Sequence, residues 1–75
     1  MTLNAKVEGR LAVRLVDLGG KPIPGFDIDD CRSIRGDSVA HAVRWRKPLA
    51  EICDMPLRIE FRLRDARLYG FDLTP

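Results

Sequence analysis

No stretch of the sequence approaches the ~20 consecutive apolar residues that cross a bilayer as a helix, and the opening MTLNAKVEGR has no apolar segment of the kind that marks an export signal. A spanning helix is excluded, and a cytoplasmic location is the expectation. Cysteine is scarce: Cys31 and Cys53 allow one bridge at most, and in a chain without an export signal they read as small buried thiols. Neither has a histidine at a motif-like spacing, no CxxC or HxxxH pair exists, and no glycine-rich phosphate loop follows a strand. A surplus of one charge is also nearly missing. The 13 Lys and Arg against 11 Asp and Glu give a formal net charge of +2. Unless the charge is strongly segregated on the surface, that implies neither a nucleic-acid nor a membrane partner. There are no internal repeats and no low-complexity tract.

The chain does have the balance of a folded domain, with 45% hydrophobic and 32% charged residues over 75 positions. It is read as one domain over residues 1–75. A domain this small buries roughly 60% of the surface its unfolded chain exposes, so the core is thin and something outside the chain can complete it.

The dominant period is two. LRIEFRLR, residues 57 to 64, sends Leu57, Ile59, Phe61 and Leu63 to one face and Arg58, Glu60, Arg62 and Arg64 to the other. RLAVRLVD puts Leu11, Val13 and Leu15 together, SVAHAVRW does the same for Val39, Val43 and Trp45, and LYGFDL adds Tyr69, Phe71 and Leu73. Turn signals separate them at Gly19-Gly20, Pro24-Gly25, Gly36-Asp37, Lys47-Pro48 and Asp65-Ala66-Arg67. Only Leu49 to Cys53 has room for a helical turn. The expected fold is all-β, an antiparallel β-sandwich or barrel of about six strands, because βαβ units need longer helical segments.

Chemistry has few candidate carriers. KPIPGFDIDDC crowds Asp27, Asp29 and Asp30 together. Read as a calcium loop from Asp27, it places Arg32 where glycine is needed and Ser38 where a bidentate Glu belongs, so the pattern fails. The alternative is a turn at Pro24-Gly25, with Phe26 and Ile28 plugging the core, Asp side chains capping amides, and Arg32 and Arg35 relieving the repulsion between carboxylates. His41 shares its register with Val39, Val43 and Trp45 and lacks an acid or nucleophile on its face, which makes it a hydrogen-bonded histidine at the core margin rather than a general base. Trp45 and Tyr69 are the candidate carbohydrate-binding aromatics, although the register of Trp45 favours a core plug. Arg58, Arg62 and Arg64, with Arg14 and Arg44 on other strands, could form a basic stripe interrupted by Glu60; a solvated face is the favoured reading. No metal, cofactor or catalytic residue is assigned.

From Asn4-Ala5 and the strand Arg10 to Val16, through GKPIPGF, Asp30-Cys31, Gly36-Asp37-Ser38, Val43 with Trp45 and Pro56, to Arg62-Leu63-Arg64, Leu68-Tyr69 and Phe71, the order and spacing resemble one known module almost end to end. It is the C-terminal β-sandwich of large bacterial proteins related to glycoside hydrolases with a five-bladed propeller catalytic domain. The resemblance implies a jelly-roll-like sandwich without catalytic residues, since the family's carboxylates belong to the propeller. Two departures stand out. Arg46-Lys47-Pro48 replaces a glycine-rich turn, and Asp54 stands where glycine is expected, a residue that tolerates the left-handed conformation at modest cost. The module also begins earlier than this chain, with strands absent here, so the domain reads as truncated on its N-terminal side. The function expected is a non-catalytic accessory or assembly module, a homo-oligomer joined through a sheet edge or an apolar face lined by Leu11, Val13, Phe61 and Phe71. Carbohydrate binding through exposed Trp45 or Tyr69 is the alternative, with a glycan as partner and neither nucleic acid nor membrane.

Overall fold

A computed structural model describes residues 1–52 and 54–73, and it is all-β. Strand β1 runs Thr2–Val16, β2 Ile34–Ala42 and β3 Arg58–Asp72, forming an open antiparallel sheet in the order β2-β1-β3. Single 3-10 turns at Ile28–Asp30 and Leu49–Glu51 lie in the long connections. Where the sequence suggests about six short strands, the described residues form three, two of them 15 residues long.

β1 is central, and its alternation decides the layers. Leu3, Ala5, Val7, Leu11, Val13 and Leu15 are buried on one face. Thr2, Asn4, Lys6, Glu8 and Arg10 are exposed on the other. The connections fold over the apolar face rather than a second sheet, contributing Ile23, Phe26, Val43, Trp45, Leu49 and Ile52 to one cluster. Phe26 and Trp45 meet there with ring centroids 5.8 Å apart, a tilted contact that adds to the burial of both rings.

The long strands are not straight. Fifteen extended residues would reach about 50 Å, yet the longest dimension of the molecule is 30 Å. Phe61 and Phe71, on the same inner face of β3, have ring centroids 5.5 Å apart, whereas ten residues of extended strand would separate them by roughly 33 Å. The ribbon of β1 and β3 therefore folds toward its apolar side. The bend coincides with a register shift, since Val7 pairs with Ala66 and Arg10 with Arg64, giving β1 one residue too many. Opposite lies Asp65 at φ 51°, the one left-handed non-glycine among the described residues. The Asp65-Ala66-Arg67 turn signal is thus a corner inside one strand, because pairing with β1 continues through it.

Two further shifts correct the expected faces. Between Leu3↔His41 and Ala5↔Ser38, β2 carries one residue more than β1. The bulge turns Val39 outward to 80% exposure, although period two places it inside. Likewise β3 has an extra residue at Tyr69, between the pairs Asn4↔Gly70 and Ala5↔Leu68.

Gly9 occupies the bend because nothing larger fits. A Cβ there would lie 2.3 Å from the Arg64 carbonyl oxygen and 2.9 Å from the Asp65 Cβ. Gly9→Ala is expected to destabilise the fold by about 1–3 kcal/mol, as overpacking against fixed backbone does. Urea unfolding checks this, and an unshifted midpoint would mean that the corner yields freely.

Candidate functional site

The acidic stretch closes a local corner. Asp27 caps the Ile28–Asp30 turn through a hydrogen bond from the Ile28 amide at 2.7 Å, and the Asp27 amide donates to Asp30 Oδ2 at 3.2 Å. Phe26, just before it, is fully buried. The expected charge relief comes from elsewhere in the chain. Arg14 approaches Asp27 at 3.8 Å and Arg46 approaches Asp30 at 3.1 Å, while Arg32 and Arg35 make no ion pair among the described residues. Strand pairing brings Arg14 to the corner, which spacing along the chain does not reveal. Arg14 also holds Glu60, its cross-strand partner, through Nε at 2.6 Å and Nη2. Among the described residues no group of three or more His, Cys, Asp or Glu is placed to hold a metal ion.

His41 is half-buried and bonds the Ala5 carbonyl oxygen through Nε2 at 2.9 Å. A carbonyl only accepts, so Nε2 carries the proton and the ring ties β2 to β1.

Trp45 is buried and its indole N–H donates to the Val13 carbonyl oxygen at 2.8 Å. This bond has a structural cause. β2 stops pairing with β1 at Leu11↔Ile34, which leaves the same edge of β1 open at Val13 and Leu15. The Trp45 indole fills the first vacancy. The loop fills the second, with the Ile23 amide donating to the Leu15 carbonyl and the Leu15 amide to the Phe26 carbonyl, both at 2.9 Å. Trp45 is therefore the core plug its register suggests, buried but for an edge that lines a cavity of about 390 Å³ with Arg32, Arg44 and Lys47. Tyr69 is 61% exposed, beside a cavity of about 440 Å³ lined by Lys6, Glu8, Asp65 and Arg67. The two candidate aromatics are not brought together.

The residues expected on an uncovered inner face divide. Leu11 and Val13 are sealed within the chain by the connecting loops, at 2% and 0% exposure, which corrects the expectation that they lack cover. Phe61 is partly buried, and Phe71 remains 53% exposed. Leu63, paired with Leu11, is 43% exposed. The uncovered apolar surface is thus displaced from β1 to β3, because the loops reach over the central strand and stop short of the edge strand.

Cys31 is a free thiol next to β1. Burial raises its pKa above the ordinary value, with a hydrogen bond donated to the sulfur by the Val13 backbone N–H acting in the opposite direction. Cys53, and with it the question of a bridge, lies outside the described residues. No protein-family model, curated protein or solved structure matches this chain.

Trp45→Ala is expected to cost on the order of 3–5 kcal/mol in denaturant unfolding, and the native tryptophan emission should be that of a water-excluded indole. A water-exposed emission maximum would contradict the plug. Because the folded state favours the protonated thiol, Cys31 adds stability below the ordinary thiol pKa, and that increment is lost as pH rises through the raised value. In a Cys53→Ser chain, alkylation of Cys31 at pH 8 should accordingly be slower folded than in urea. Equal rates would count against the shift.

Proposed function

We propose that the chain is a non-catalytic accessory or assembly module that self-associates through the apolar inner margin of β3. The observation that carries this reading is the pair Leu63 and Phe71, exposed on the same sheet face whose central strand is sealed. Phe61 and Leu68 lie partly buried beside them. An apolar margin next to a strand edge that is unpaired among the described residues is a surface another chain can cover.

Stacking faces suits a second copy better than joining edges. Antiparallel self-pairing of β3 centred on Phe61 would set Arg58 against Arg64 of the second copy, and centring on Glu60 would set Arg58 against Arg62. Like charges directly opposite are destabilising. Two sheets stacked about 10 Å apart around a two-fold axis would bury both margins. With three strands from each chain, the pair would make a six-stranded sandwich. The fold and the accessory role implied by the resemblance to the C-terminal module fit this arrangement. Carbohydrate binding is the lesser reading, since Tyr69 would act there without a partnering Trp45.

Light scattering at micromolar concentration should return about twice the 8.5 kDa chain mass, with an interface of well over ~1,000 Å² in total. A Leu63→Lys, Phe71→Lys chain should be monomeric and folded, because both side chains are already exposed. A mass near a single chain for the unmodified protein would refute self-association.

A further inference from the structure

Arg32 and Arg35, which do not neutralise the acidic stretch, line a cavity of about 400 Å³ between the Gly9 bend, the Ile28–Asp30 turn and the start of β2. Arg10 and Arg62 line it too, with Asp29 as the one acidic side chain. We propose that this cavity binds a phosphoryl-bearing small molecule.

Four guanidinium groups against one carboxylate leave a formal excess of three positive charges at one cavity. Among the described residues none of the four makes an ion pair, whereas Arg14 and Arg46 are both engaged with carboxylates. Strand pairing also sets Arg10 directly opposite Arg64, which does not itself line the cavity, a like-charge pair that costs stability unless an anion offsets it. Guanidinium forks match the geometry of phosphate oxygens. A phosphate monoester brings about −1.5 to −2 charge and three acceptor oxygens, which neutralises most of the excess; a carboxylate brings a single charge. Buried Leu11 and Ile34 and half-buried Ile28 line the cavity as well, and the volume lies within the ~300–1,000 Å³ of ordinary ligand pockets. The site therefore suits an anionic head on an organic body.

The charge is bounded on one side. Just across the Gly9 corner the cavity beside Tyr69 mixes Lys6 and Arg67 with Glu8 and Asp65, whereas Arg32 also lines a neighbouring cavity together with Arg44 and Lys47. A single-stranded oligonucleotide binding more tightly than AMP would overturn the small-molecule assignment, and the site does not depend on self-association.

Amide chemical shifts of the isotope-labelled full chain, titrated at constant ionic strength with AMP, inorganic phosphate, adenosine and acetate, test the proposal. AMP should give saturable shifts confined to residues 9–12, 29–35 and 62, with inorganic phosphate weaker at the same amides and adenosine or acetate giving none that saturate. Arg10→Gln and Arg62→Gln should each weaken AMP binding roughly tenfold, the scale of a hydrogen bond to a charged group, while Arg67→Gln leaves it unchanged. Acetate binding as tightly as AMP would overturn the phosphoryl assignment. Equal affinity for inorganic phosphate and AMP would overturn the part given to Leu11, Ile28 and Ile34. A loss in Arg67→Gln matching that in Arg62→Gln would show diffuse charge in place of a site, and shifts that never saturate would refute binding altogether.

Discussion

The corner in the β1–β3 ribbon is the constraint on which the rest of this small fold depends. At Gly9 the backbone of β3 comes within a distance that no side chain would allow, and Asp65 takes a left-handed conformation opposite it. Pairing continues on both sides of the corner, so one ribbon supplies two faces that look toward each other. This is how 75 residues enclose a core without a second sheet. It is also why Phe61 and Phe71 meet although they lie at opposite ends of one strand.

Closing the ribbon on itself leaves unequal cover. β1 is flanked by strands on both sides and overlaid by both loops, and where β2 ends its open edge is occupied by the Trp45 indole and the 23–26 segment. β3 has a neighbour on one side alone among the described residues. A chain of this length has too little loop to roof three strands, since buried fraction falls with size. The edge strand keeps its inner side chains half-covered, and that shortage is the physical basis for the proposed self-association.

The polar side of the same strands shows how placement changes the meaning of charge. A net charge of +2 is unremarkable in the chain as a whole. Folding engages Arg14 and Arg46 with carboxylates and sets Arg10, Arg32, Arg35 and Arg62 around one cavity. Residues from three separate parts of the chain converge there, and the proposed phosphoryl site arises from that convergence.

Much of the local structure was legible in residue order. Period two marks the strands at 11–15 and 57–64, and the side chains of Phe26, Asp27, His41 and Trp45 behave as their neighbours along the chain suggest. These depend on alternation, capping and turn chemistry, all of which act over a few residues. Other features became visible only in the fold. Val39 faces water because a bulge in β2 displaces it. The apparent turn at Asp65 is a corner within a strand, and Leu11 and Val13 are covered by loops far from them in sequence. Register shifts, loop reach and cross-strand neighbours are set by contacts between distant segments. A one-residue slip reverses the face of every side chain beyond it, so tertiary structure alone decided which apolar residues stay exposed and which arginines gather.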